Sequence, residues 1–128
     1  MRKVPDVSDA ELAVLHALWE RGEATIRQLT DRLYPGGGPA YYSTVQKLLE
    51  RLEVKDCVRR DRSAMAHMFR ARVSRDALIG QQLREMAEKL CGGSMAPLLT
   101  HLLHAESLSA RDRRELRRVL NHDYSVKP

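Results

Sequence analysis

Apolar residues recur at helical spacing along most of this chain, and one stretch shows the pattern most fully. Between Tyr41 and Lys55, the residues Val45, Leu48, Leu49 and Leu52 fall at i, i+3, i+4 and i+7. On a helix with 3.6 residues per turn they form a single stripe, which predicts one buried face. The opposite side carries Ser43, Gln46, Lys47 and Glu50, flanked by Arg51. Two helices are predicted before it. Ser8-Asp9-Ala10-Glu11 is a capping box, followed by an apolar face of Leu12, Leu15, Leu18 and Trp19, with Gly22 placed to close the helix in a left-handed conformation. Trp19 shares its spacing with leucines and reads as core. A second box, Thr25-Ile26-Arg27-Gln28, opens a short helix with Leu29 and Leu33 on one face, stopped by Pro35. Pro35-Gly36-Gly37-Gly38-Pro39 reads as a connector, because it lacks the Gly-Lys-Ser/Thr of a phosphate loop. The start of the central helix is open at this point: Pro39 fits a first turn, and Ser43 with Gln46 makes a third capping box.

After Lys55 the helical period is lost. Residues 57–62 and 67–71 read as two short strands around Ser63-Ala64-Met65-Ala66, with Val58 and Phe69 as β-formers. The expected class is mainly α with a small β-hairpin. Helix, short helix, helix and hairpin is the order of a winged helix-turn-helix, whose third helix enters the DNA major groove. On that reading the helix at 41–55 offers Tyr41, Tyr42, Ser43, Thr44, Gln46, Lys47 and Arg51 to DNA, and Arg59, Arg60 and Arg62 lie over phosphates. From Ser74 the chain turns helical again. Ile79, Leu83, Met86 and Leu90 make a short coiled-coil-like seam that ends at Gly92-Gly93. Ser94 is expected to cap a helix carrying Met95, Leu98, Leu99, Leu102 and Leu103, and Ser109 one with Leu116, Val119 and Leu120. So much leucine on so little chain cannot close a core alone, so a homodimer is expected. The resulting division is a winged-helix domain at 1–73 and a helical dimerisation segment at 74–128.

Charge sharpens this picture. The 128 residues carry a net charge of +5, and the excess is local: residues 39–72 hold eight basic and four acidic side chains, against five and six in residues 1–38. A cationic segment centred on one helix and the following hairpin suits a polyanionic partner, here double-stranded DNA. Cys57 and Cys91 have no Cys-x-x-Cys spacing and read as packing residues. No stretch resembles a signal peptide or a membrane span, so direct membrane binding is not expected and the compartment is cytoplasmic. His101 and His104 share a helix face but lack a third assured ligand, so no metal and no cofactor is assigned. No Ser/His/Asp set, carboxylate pair or phosphate loop suggests an enzyme. The rival reading is a winged-helix protein-interaction module without sequence-specific DNA binding.

In the order and spacing of its motifs the chain resembles the penicillinase-repressor family, the BlaI, MecI and CopY type of bacterial transcriptional repressor. The resemblance covers roughly residues 6–123. It rests on Ser8-x-x-Glu11 with Leu18-Trp19-Glu20, on Ser43-Thr44-Val45-Gln46-x-Leu48-Leu49-x-Arg51-Leu52, and on Leu108-Ser109-x-x-Asp112 with Glu115-Leu116. It implies a homodimeric repressor whose winged helix binds a palindromic operator. By the same resemblance Thr44 and Lys47 are groove-facing: Thr44 can meet a phosphate or a thymine methyl, and Lys47 a phosphate or guanine. Arg51 falls at the family's conserved arginine and can serve either DNA or the fold. In the β-lactam-sensing members a membrane receptor's signal leads to proteolysis, which implies an upstream membrane sensor or protease as partner. The matching bond here joins His101 to Leu102 rather than Asn to Phe, so cleavage is not carried over. Further departures are Tyr42-Ser43 in place of Pro-Lys, Asp56 in place of a frequent glycine, and Ala64-Met65 in place of Gly-Arg at the wing tip.

Overall fold

The computed structural model describes residues 5–122. Six helices and one hairpin follow in the order α1 (Asp9–Arg21), α2 (Ile26–Leu33), α3 (Pro39–Val54), β1 (Val58–Asp61), β2 (Met68–Ala71), α4 (Arg75–Cys91), α5 (Ala96–Leu103) and α6 (Ala110–Asn121). They form two compact units that divide between Gln81 and Gln82, so α4 runs across the division.

The first unit is a winged helix-turn-helix. Both expected capping boxes are formed. In α1 the Glu11 N–H donates to Ser8 Oγ at 3.2 Å and the Ser8 N–H donates to Glu11 Oε1 at 2.8 Å. In α2 the Gln28 N–H donates to Thr25 Oγ1 at 3.1 Å and the Thr25 N–H to Gln28 Oε1 at 2.9 Å. Gly22 closes α1 at φ 90°, its N–H donating to the Leu18 carbonyl at 2.7 Å. The α3 stripe of Val45, Leu48, Leu49 and Leu52 is buried among Val14, Leu15 and Leu18 of α1 and Leu29 of α2. The helix starts earlier than the Ser43 box would allow. Gly38 is its cap and Pro39 its first residue, a position where proline's missing N–H costs nothing and its fixed φ already suits the helix. Its last residue is Val54, with Lys55 as the cap.

Asp56 turns the chain out of α3 at φ 64°, the described non-glycine residue with positive φ. Aspartate enters this region more readily than most side chains, and its carboxylate is held by Arg72 Nη1 at 2.9 Å. The hairpin that follows is antiparallel, pairing Val58 with Ala71, Arg59 with Arg70, Arg60 with Phe69 and Asp61 with Met68. A feature absent from the sequence reading completes the sheet: Ala24 exchanges backbone hydrogen bonds with Phe69 at 2.8 and 3.0 Å, tying the α1–α2 connection to the free edge of β2. Phe69 is therefore paired on both edges and fully buried. Trp19 is half-buried rather than core, and its Nε1 donates to the Val73 carbonyl at 2.9 Å, anchoring the chain as it leaves the wing.

In the second unit the apolar residues are covered far less. Among the described residues from 82 onward, Ala87 alone is buried. Gly92 and Gly93 both take positive φ to end α4, as the sequence predicts. The expected cap of the next helix shifts by one residue: Met95 occupies the cap position, while Ser94 Oγ accepts from the Ala96 N–H at 3.3 Å. Ser109 caps α6 through the Asp112 N–H at 3.0 Å, and Arg113 donates to the carbonyls of Leu103, Ala105 and Leu108, binding α6 to the end of α5.

One buried charge ties the ends of α1 and α3. Glu11 is 2% exposed, and its Oε1 accepts from Lys55 Nζ at 2.6 Å. Burial alone raises its pKa, but the Lys55 ammonium and the Ser8 N–H outweigh that and hold it below the ordinary 4.5. Its contribution to stability is therefore present above pH 4.5 and is lost as pH falls through the lowered native value. Glu11→Gln is expected to cost about 1–3 kcal/mol at neutral pH and almost nothing in strong acid. Urea unfolding across pH at fixed protein concentration checks this, and a pH-independent deficit would contradict it.

Candidate nucleic-acid interface

Burying the α3 stripe leaves the opposite face of that helix in solvent. Tyr41, Tyr42, Ser43, Thr44, Gln46, Lys47 and Arg51 are all exposed there. Among the described residues no acid forms an ion pair with Lys47 or Arg51. Thr44 Oγ1 donates to the Ala40 carbonyl at 3.1 Å, so its hydroxyl proton is already in use while its methyl is not. The start of α3 has no side-chain cap, which leaves the positive end of the helix dipole open to an anion.

The aromatic residues at this end are organised. The rings of Tyr34 and Tyr41 stack with centroids 4.6 Å apart and planes inclined by 22°. Tyr42 lies under the Arg27 guanidinium, 5.8 Å from carbon Cζ to the ring centre. Arg27, Thr30, Asp31, Tyr42 and Ser43 line a groove of about 490 Å³ beside the glycine turn. The sequence reading did not single out Arg27. Its signal was an exposed cation in the first turn of α2, legible only once α2 and α3 are set side by side.

The three wing arginines are not equivalent. Arg59 and Arg62 are exposed. Arg60 points the other way: its Nη2 and Nε donate to Glu53 at 2.7 and 3.2 Å, and its guanidinium covers the Phe69 ring at 4.8 Å. Arg62 approaches the same carboxylate only to 3.9 Å. A further cation joins the outer face. Arg70 stands opposite Arg59 in the ladder, and its Nη2 donates to Glu23 at 2.6 Å. Asp61 lies beside both arginines. Its carboxyl is held below the usual range first by the Ser63 N–H and hydroxyl and then by Arg70 and Arg59. Arg59, Arg62, Arg70, Asp61 and Glu23 border an open groove of about 490 Å³ on the wing, and Arg60 also lines it although its guanidinium is engaged by Glu53.

Residues 7–122 match the family model described as penicillinase repressor. This chain belongs to the penicillinase repressor family. A transcriptional regulator BlaI of Mycobacterium tuberculosis is 34% identical over 122 residues, covering 94% of this chain and 86% of its own. The penicillinase repressor of Staphylococcus aureus is 23% identical, covering 93% of this chain and 94% of its own. That of Bacillus licheniformis is 21% identical, covering 94% and 93%. Among solved structures, the DNA binding domain of the repressor BlaI in solution aligns with a TM-score of 0.49 and 22% identity, over 60% of this chain and 93% of that one.

The predicted dimerisation residues lie in the helices from α4 onward. Ile79, Leu83, Met86 and Leu90 are exposed along α4, and Leu102 and Leu120 are exposed on α5 and α6. Leu98, Leu99, Leu103 and Leu116 are partly covered. Among the described residues no three His, Cys, Asp or Glu side chains come together as a metal site, and no helix is long and apolar enough to cross a membrane.

The tyrosine stack depends on Gly37. A Cβ there would lie 2.5 Å from Tyr41 Cδ2 and 3.0 Å from the Tyr34 carbonyl oxygen, closer than real contacts allow. Gly37→Ala is expected to displace the Tyr41 ring, weaken the near-ultraviolet tyrosine dichroism and cost about 1–3 kcal/mol. An unchanged spectrum and melting temperature would show that the loop yields instead.

Proposed function

We propose that this protein is a dimeric transcriptional repressor that occupies a palindromic operator in double-stranded DNA. The observation that carries the reading is the two-faced α3: one stripe buried, the other face exposed with Lys47 and Arg51, which form no ion pair among the described residues although Glu50 shares that face. Two exposed cations on one helix face are well solvated in the free protein and gain counterion release when set against phosphates. In the proposed complex Thr44, Gln46 and Lys47 face base edges in the major groove, with the Thr44 methyl suited to thymine. Tyr41, Tyr42, Ser43 and the uncapped start of α3 border the backbone at the groove's edge. Arg51, Arg59 and Arg62 contact phosphates, while Arg60 serves the fold by joining Glu53 to Phe69.

Dimerisation follows from the apolar seam of α4. Ile79, Leu83, Met86 and Leu90 share one face, and a repeat of four, three and four residues suits a second copy of the same helix. Leu98, Leu99, Leu102, Leu103, Leu116 and Leu120 on α5 and α6 are further apolar residues that a second copy could cover. Two-fold symmetry of the protein then requires two-fold symmetry of the site, with half-sites about one helical turn or a multiple of it apart.

Two measurements test this. Lys47→Ala is expected to weaken binding to DNA from the protein's own promoter region about tenfold and to relax its preference over unrelated DNA. Equal affinity for promoter and unrelated DNA in a salt-controlled mobility shift would refute the repressor reading. Leu83→Glu is expected to convert the dimer to monomer in sedimentation and to weaken operator binding with it. An unchanged sedimentation coefficient would move the dimer interface elsewhere.

A further inference from the structure

The chain passes from β2 into α4 through three residues, Arg72, Val73 and Ser74, and each of them is held. The Arg72 N–H donates to the Cys57 carbonyl at 2.7 Å while its guanidinium bonds Asp56. The Val73 carbonyl accepts from Trp19 Nε1 at 2.9 Å. Ser74 Oγ accepts from the Ala77 N–H at 3.0 Å and so caps α4. Trp19, the one tryptophan of the chain, is itself gripped by two neighbours. The His16 ring meets it in a T-shaped contact, with centroids 5.2 Å apart and planes at 88°, and the Arg75 guanidinium lies over its ring at 5.8 Å.

The start of α4, through Gln81, belongs to the first unit. Leu78 is 5% exposed and joins the core cluster that also buries the α3 stripe, and Gln81 is buried beside it in sequence. Ile79, one position on and so about 100° around the helix, is 47% exposed. The apolar seam of α4 therefore begins on a turn whose inner side is rooted in the same core as α3. A long flexible linker would let two DNA-reading domains reach half-sites at many separations. Three pinned residues leave no such freedom.

We propose that Trp19 is a positioning residue through which the dimer measures the spacing of its two half-sites. The bond from Trp19 Nε1 to the Val73 carbonyl fixes the direction in which α4 leaves the first unit, so the second α3 is offered to the duplex at one separation and one rotation. Each base pair added between half-sites moves the second site about 3.4 Å along the axis and turns it by about 35°. A close-packed root does not follow a displacement of that size. The inference rests on the dimeric repressor reading above and adds a determinant of operator choice that itself touches no DNA.

The test uses the full-length protein and a two-fold duplex that it selects from random-sequence DNA. One base pair is then inserted or removed at the centre, and a third duplex carries a single half-site. Wild-type protein is expected to bind the altered spacings about thirtyfold more weakly or worse, because the second contact is lost. Trp19→Phe keeps an aromatic ring and loses the N–H. It is expected to bind the single half-site as wild type does, the original spacing about three- to tenfold more weakly, and the altered spacings within about fivefold of the original. Arg75→Ala, a change at an exposed residue, is expected to shift the same ratio in the same direction by about twofold. Weaker binding of Trp19→Phe to the single half-site would show that Trp19 only supports the fold, and would overturn the proposal. A spacing penalty as large in both variants as in wild type would overturn it too, and in either case the repressor reading stands. If wild-type protein selects no two-fold duplex, the repressor reading itself fails and the inference falls with it.

Discussion

Everything in the first unit that faces outward is set by the burial of one stripe on α3. Val45, Leu49 and Leu52 have no exposed surface and Leu48 almost none. At such sites, cutting a leucine back to alanine costs about 2–5 kcal/mol, so rotation of the helix by even one position would cost more than many small domains can lose. The rotation of α3 is therefore not adjustable. Lys47 and Arg51 sit outside because Leu48 and Leu52 sit inside, and no separate interaction is needed to present them. The buried pair of Glu11 and Lys55 then fixes the far end of the helix against the start of α1. Such a pair contributes little net stability compared with apolar packing, but it tolerates no slippage, because moving it would strand a carboxylate 2% exposed.

The same constraint sorts the cations of the wing. Asp56 at φ 64° sets where the strand begins, and from there side chains alternate: Val58 inward, Arg59 outward, Arg60 inward. Arg60 can face inward only because Glu53, the penultimate residue of α3, meets it and the Phe69 ring lies beneath it. A guanidinium is suited to this position, since it is planar, weakly hydrated and able to bond a carboxylate through two nitrogens while stacking on an aromatic face. Arg59 and Arg70, forced opposite each other by the register, repel across the ladder. Glu23 and Asp61 offset part of that repulsion, and a phosphate would offset the rest.

Much of this arrangement is legible in the sequence, and what is not shares a cause. Both capping boxes, the α3 stripe, the glycine stops and the hairpin depend on residues three or four positions apart, or on simple alternation, and they stand where the pattern puts them. The earlier start of α3 depends on a competition that the pattern leaves open, between Pro39 as a first residue and Ser43 as a cap; the helix takes the longer option. The Ala24 bridge to Phe69 is a single residue pair and has no period to detect. The different fate of Arg60 turns on which residue opens the strand, a shift of one position that exchanges the two faces. Arg27 over Tyr42 and Tyr41 on Tyr34 join α2 and its end to α3, and no spacing within one element announces them. The individual roles of the residues on the exposed side of α3 in the proposed complex depend on a partner whose sequence the chain does not contain.

The second unit obeys a different balance. Its helices are well capped and joined, by Ser109 at the start of α6 and by Arg113 across three carbonyls, so local structure is specified. Burial is what it lacks, with Ala87 alone buried among its described residues. Hydrogen bonds and caps of this kind contribute about 1 kcal/mol each, too little to offset the backbone entropy of some forty residues. The missing stabilisation must come from apolar surface, and the exposed stretch of Ile79, Leu83, Met86 and Leu90 is where a second copy can supply it. In the proposed dimer, folding of this unit and self-association are therefore one equilibrium. Affinity for a two-fold operator is then tied to protein concentration and to the integrity of α4. In the proposed dimer, opening the helices from α4 onward would lower operator occupancy without touching α3, because it would remove the second half-site contact rather than weaken the first.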